Sequence, residues 1–91
     1  MQLRWTEEAA NDLEQIANYL FEHMSEHAAD LVREIYRAPA ALLQFPYRGR
    51  PGRKAGTREL VLAVRPCIVI YRIVGEMIQL VRILHSAQKW P

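Results

Sequence analysis

The residues with the most chemical promise lie in two places: a basic segment, FPYRGRPGRKAGT (45–57), and an apolar run ending in RILHSAQKWP (82–91). Acid–base chemistry needs one group that takes a proton, one that gives it, and cations beside any developing negative charge. Glu59 and His85 are of the types that could share proton transfers, and Arg65 or Arg72 of the type that holds an anion. The convergent set of three or four groups that defines such a site is not evident from the residues alone. A second set, Arg48, Arg50, Arg53, Lys54, Arg58, Arg82 and Lys89, offers positive charge to phosphates or acidic partners, and Trp90 offers a stacking surface. Each has a plainer reading. A strand-end histidine is often structural, a basic loop is often only solvated, and a terminal tryptophan can fold back on its own sheet. His23 and His27 are four apart, but HMSEH is not the zinc motif H-E-x-x-H, so no metal and no cofactor are expected.

Several elements must position these groups. QLRW alternates like a short strand, and Thr6 then serves as N-cap, with Glu7 and Glu8 where the helix dipole favours them. Ala10, Leu13, Ala17, Leu20 and Met24 recur at helical spacing, predicting a helix over roughly residues 7–24. Ser25 reads as a second N-cap. The stripe Ala28, Leu31, Val32, Ile35, Ala38, Leu42 and Leu43 gives a second helix, kinked or broken at Pro39. The two helices form a hairpin because almost nothing separates them. The basic segment, with two prolines, three glycines and four cations, is the connecting loop. Three strands follow, RELVLAVR, CIVIYRIV and MIQLVRILH, with turns at Arg65-Pro66 and around Gly75-Glu76.

The 91 residues make one domain, 1–91, of class α+β: an N-terminal edge strand, an antiparallel helix hairpin and a three-stranded antiparallel meander, with the helices packed on one sheet face. About half the residues are apolar (51%), which argues against disorder. No run approaches the ~20 apolar residues of a membrane span, and the charged start lacks an apolar signal region, so a cytoplasmic protein is expected. The single Cys67 cannot form an internal disulfide and reads as a small buried hydrophobe. Charge is uneven: residues 1–44 carry three arginines against eight acids, net −5, and residues 45–91 carry nine cations against two acids, net +7. A basic half points to an acidic or polyanionic partner.

With two-residue turns throughout the meander, alternation sorts its side chains. Leu60, Leu62, Val64, Cys67, Val69, Tyr71, Ile73, Ile78, Leu80 and Leu84 fall on the core face, with Arg58 and Arg82 at its margins. Glu59, Val61, Ala63, Arg65, Ile68, Ile70, Arg72, Gln79, Val81, Ile83 and His85 fall on the other. That second face, half apolar and half cationic, reads as a binding surface.

The order of elements, with GRPGRKAGTREL, IVIYRI and RILHSAQKWP, resembles the RelE/ParE superfamily of toxins from bacterial type II toxin–antitoxin systems. Tyr71-Arg72 in its strand, Arg82-Ile83-Leu84-His85 in the last strand, and Phe45-Pro46 followed by Gly49-Arg50-Pro51 carry the likeness, which spans essentially the whole chain. The resemblance implies a plasmid-stabilisation-type toxin, neutralised by a cognate antitoxin that reaches operator DNA through its own DNA-binding region. ParE-type members inhibit DNA gyrase; RelE-type members cut mRNA on the ribosome. The RILH ending, Glu59 and Val61 where a cutting member carries lysines, and the lack of a tyrosine after the last strand lean toward the ParE type. The alternatives are a ribosome-dependent endonuclease and a non-toxic corepressor bound to the antitoxin.

Overall fold

The computed structural model describes residues 1–63, 67–85, 88 and 90. Strand β1 (Gln2–Trp5) leads into helix α1 (Glu7–His23) through Thr6. The Thr6 hydroxyl accepts the Ala9 N–H at 3.1 Å and donates to the Val81 carbonyl at 3.0 Å, while its N–H donates to the Leu80 carbonyl. One residue thus caps the helix and fastens it to the last strand.

Helix α2 (Ser25–Arg37) begins one residue earlier than a Ser25 cap would imply. Met24 holds the N-cap position but its side chain does not cap the helix, and Ser25 is the first helical residue. The helix ends at Arg37, and Ala38–Leu43 continue as a 3₁₀ helix. Pro39, which has no amide to donate, sits at the start of this tighter segment and makes the break expected there.

The sheet has five strands in the order β1-β5-β4-β3-β2, formed by β2 (Arg50–Pro51), β3 (Arg58–Val61), β4 (Cys67–Val74) and β5 (Met77–His85). The meander is antiparallel, and β1 runs parallel to β5. The two-residue β2 is an addition to the expected strands, formed inside the basic loop. β3 ends at Val61, short of the expected Arg65, although the Leu62 N–H still donates to the Cys67 carbonyl at 2.8 Å. The expected turn at Arg65-Pro66, and Val64 with it, lies outside the described residues. At the β4–β5 turn Val74 pairs with Met77 across Gly75-Glu76, and Gly75 takes φ 60°, a left-handed conformation that costs glycine little.

The helices cover one sheet face. Ala9, Leu20, Ala28, Ile35 and Leu42 from the helical segments meet Cys67, Val69, Tyr71, Ile78, Leu80 and Ile83 in one buried cluster. The register changes partway along β5. Tyr71 pairs with Leu80, but the preceding residue Ile70 pairs with Arg82, leaving Val81 as the extra residue of a β-bulge. Beyond it the register exchanges the faces that simple alternation gives. Ile83 is therefore in the core, Leu84 falls in register with the outer-face residue Ile68, and His85 pairs with the core-face Cys67. These three placements correct the alternation-based assignment, while Arg82 stays at the sheet margin and reaches Asp12 of α1.

Candidate interaction surfaces

The basic loop is built around Tyr71. Its ring is fully buried, and its hydroxyl accepts the Gly49 N–H at 2.9 Å and donates to the Pro46 carbonyl at 2.7 Å. Gly49 is required by this approach: a Cβ there would stand 2.7 Å from the Tyr71 ring and hydroxyl and 2.9 Å from the Glu59 carbonyl. Arg58, from the neighbouring strand, donates through Nε to the Gly49 carbonyl at 2.9 Å and through Nη2 to the Tyr47 carbonyl at 3.2 Å. Its guanidinium also lies 5.3 Å from the centre of the Tyr47 ring. The segment from Phe45 to Gly49 is thus tied down at three carbonyls and one amide, while Phe45 and Tyr47 remain 55% and 71% exposed.

Glu59 organises the adjacent stretch. It is only 4% exposed, and its carboxylate takes Arg50 at 3.0 Å, the Arg53 guanidinium at 3.8 Å and the Arg53 N–H at 3.4 Å. Arg53 in turn donates to the Trp90 carbonyl at 3.5 Å, so the half-buried Trp90 lies beside the loop. Lys54 contributes through its backbone, its carbonyl accepting from Thr57, and its side chain is exposed.

On the far side of the sheet, α1 supplies Asp12. Its two carboxylate oxygens hold Arg82 at 2.7 and 3.0 Å, and one of them also accepts the Ile83 N–H at 2.9 Å. The pairing with Asp12 raises the pKa of the Arg82 guanidinium above the usual arginine range, against a smaller opposing effect of burial. Asp12 thus sits past the end of β1, where β5 keeps its pairing with β4 and its other edge is no longer covered by β1.

Among the described residues, those considered for acid–base chemistry do not converge. Glu59 is buried and engaged with two arginines; Arg72 is exposed, five residues along β4 from the partner of His85. At ~3.3 Å per residue that is about 16 Å, with the two side chains on opposite faces in register. His85 is exposed at the strand end, and its N–H donates to the Gln88 side chain at 3.0 Å. Arg65 lies outside the described residues, as does Lys89. Of the cations considered for binding, Arg50 and Arg53 rest on Glu59, Arg58 on loop carbonyls and Arg82 on Asp12. Arg48, Lys54 and Arg72 carry no ion pair among the described residues.

The outer sheet face is also less open than alternation suggests. Ile70 and Leu84 are buried there, at 1% and 4% exposure, whereas Val61 and Val74 stay about half exposed (52% and 48%). Among the described residues no group of three or more His, Cys, Asp or Glu could hold a metal ion. No helix is long and apolar enough to cross a membrane.

Comparison with known proteins agrees with this architecture. Residues 3–90 match the family described as the ParE toxin of type II toxin–antitoxin system, parDE. A putative toxin, Y4kP, of Sinorhizobium fredii is 40% identical over 89 residues, covering 98% of this chain and 92% of that protein. Toxin RelE2 of Caulobacter vibrioides is 32% identical over 87 residues, covering 96% and 97%. Among solved structures, the chromosomal ParDE toxin–antitoxin system from P. aeruginosa matches with a TM-score of 0.87 and 33% identity, covering 93% of this chain and 95% of that one. The toxin–antitoxin complex RelBE2 from Mycobacterium tuberculosis matches with a TM-score of 0.51 and 26% identity, covering 93% and 96%.

Proposed function

The chain belongs to the ParE toxin family of type II toxin–antitoxin systems, and from that premise we propose that it arrests growth by binding and inhibiting DNA gyrase until a cognate antitoxin silences it. The observation that carries this reading is the dispersal of the acid–base groups. Glu59 is enclosed by Arg50 and Arg53, and the bulge at Val81 puts His85 on the other side of the sheet from Arg72. A nuclease needs those groups around one phosphate; an inhibitor needs a rigid surface. The much closer overlap with the ParDE toxin fold than with the RelBE2 complex supports the same choice. The protein then acts in the cytoplasm, where gyrase and its DNA lie, and meets operator DNA only through the antitoxin.

A second reading, ribosome-dependent mRNA cleavage, draws support from the likeness to a toxin named RelE2 and from Arg72, which is exposed and carries no ion pair among the described residues. The two part in a supercoiling assay with purified gyrase. The proposal expects the chain to block supercoiling of relaxed plasmid and the antitoxin to restore it. Full supercoiling at a large molar excess of folded chain would refute gyrase as the target. Absence of any growth effect on expression without antitoxin would leave the corepressor role.

A further inference from the structure

We propose that the braced segment Leu43–Arg48 is an anchor surface for the antitoxin, receiving an apolar stretch of it flanked by carboxylates. The inference rests on the toxin–antitoxin reading above and assigns a part of this chain to that partner.

Three observations carry it. First, Leu43, Phe45 and Tyr47 expose 42%, 55% and 71% of their surface within five residues, and Gln44 to Arg48 line one open depression. An apolar surface concentrated in this way marks an interaction site better than isolated exposed side chains do. Second, the segment is held in place before any partner arrives. Tyr71, Gly49 and Arg58 fix its backbone, so little conformational freedom remains to be lost on binding. Aromatic side chains and arginines in such settings dominate binding energy. Third, the surroundings are cationic. Arg48 and Lys54 are exposed and carry no ion pair among the described residues, and Arg50 and Arg53 share the single carboxylate of Glu59, which leaves the surface net positive. Their complement is an acidic segment.

A peptide fits better than a nucleic acid. The walls of the depression are mainly Phe45, Pro46 and Tyr47, with Arg48 the cation beside them. Arg50, Arg53 and Arg58, which a phosphate backbone would need, already hold Glu59 and the loop carbonyls. The Arg58 guanidinium lies over one face of the Tyr47 ring, where a base would otherwise stack.

The test uses the full-length chain and its purified cognate antitoxin, titrated calorimetrically, with circular dichroism to confirm folding. The Phe45→Ala/Tyr47→Ala double variant should bind the antitoxin on the order of 100-fold more weakly. Because Tyr47 also touches Arg58, Phe45→Ala alone provides an independent measure and should weaken binding about tenfold. Arg48→Glu should slow association about tenfold at low salt, with the difference shrinking as salt is added. In both aromatic variants the free toxin should still arrest growth. Antitoxin affinity within threefold of wild type in the double variant would overturn the proposal. So would loss of growth arrest with antitoxin binding intact, which would assign the surface to the target. Single-stranded DNA or RNA binding that disappears in Phe45→Ala, with antitoxin affinity kept, would assign it to nucleic acid and overturn the proposal too. A wild-type chain that binds no antitoxin would remove the partner reading itself, and the surface with it.

Discussion

Two carboxylates bind arginines on either side of the sheet, and they do so differently. Asp12 places both oxygens on the single Arg82 guanidinium and adds the Ile83 N–H, so that α1, β5 and the strand edge become one unit. Glu59 divides its oxygens between Arg50 and Arg53, whose side chains stay more than half exposed at 55% and 57%. The first arrangement is a closed pair that satisfies its own charges. The second leaves one positive charge in excess at the surface, beside a loop that is already basic. Geometry of the first kind joins elements of the fold, and geometry of the second kind shapes a surface for something outside it.

The comparison can be broken at its strongest point first. Asp12→Ala removes a bidentate pair and leaves the Ile83 N–H without its acceptor, and should cost about 2–3 kcal/mol in urea unfolding. A loss below about 0.5 kcal/mol would show that α1 is not fastened there. Because the folded Arg82 pKa is raised, its contribution is fully present below the unfolded arginine value and disappears only as pH rises through the higher folded one. The stability difference between wild type and Arg82→Gln should accordingly be flat from neutral pH into the moderately alkaline range.

Arg50→Gln/Arg53→Gln comes next. It strands a buried carboxylate and should cost about 2 kcal/mol, more than removing the carboxylate itself. Glu59→Gln should cost only about 1 kcal/mol, because the two arginines it frees can turn to water. Measuring both by urea unfolding sharpens the comparison: if Glu59→Gln proves the more damaging, Glu59 is a structural lock like Asp12. Arg48→Ala, with no ion pair among the described residues, should change stability by less than about 0.5 kcal/mol.

Much of this was legible in the sequence for identifiable reasons. Thr6 followed by two glutamates marked the start of α1, Pro39 marked the end of α2, and Gly75-Glu76 marked the last turn. Each is a local signal with a local cause. The bulge had none. In MIQLVRILH both alternating sets are mainly apolar around Val81, so either register reads alike and the faces of Ile83, Leu84 and His85 could not be told apart. The burial of Glu59 was hidden for another reason: its partners Arg50 and Arg53 lie across the β2–β3 connection, and a lone glutamate in a strand resembles a catalytic carboxylate as much as an ion-pair hub. A single acid, Glu59, directly after the arginines of residues 48–58 was the available clue. Tyr71 is similar, since its hydroxyl could be assigned only once the loop above it was placed.

An inhibitor of the kind proposed acts through its surface and transfers no proton. The most direct measurement is the integrity of mRNA in a reconstituted translation reaction to which the purified, folded chain is added. The account predicts full-length message with ribosomes engaged, and no difference between wild type and a His85→Ala/Arg72→Ala variant. Discrete cuts within the message, present with wild type and absent with that variant, would contradict it.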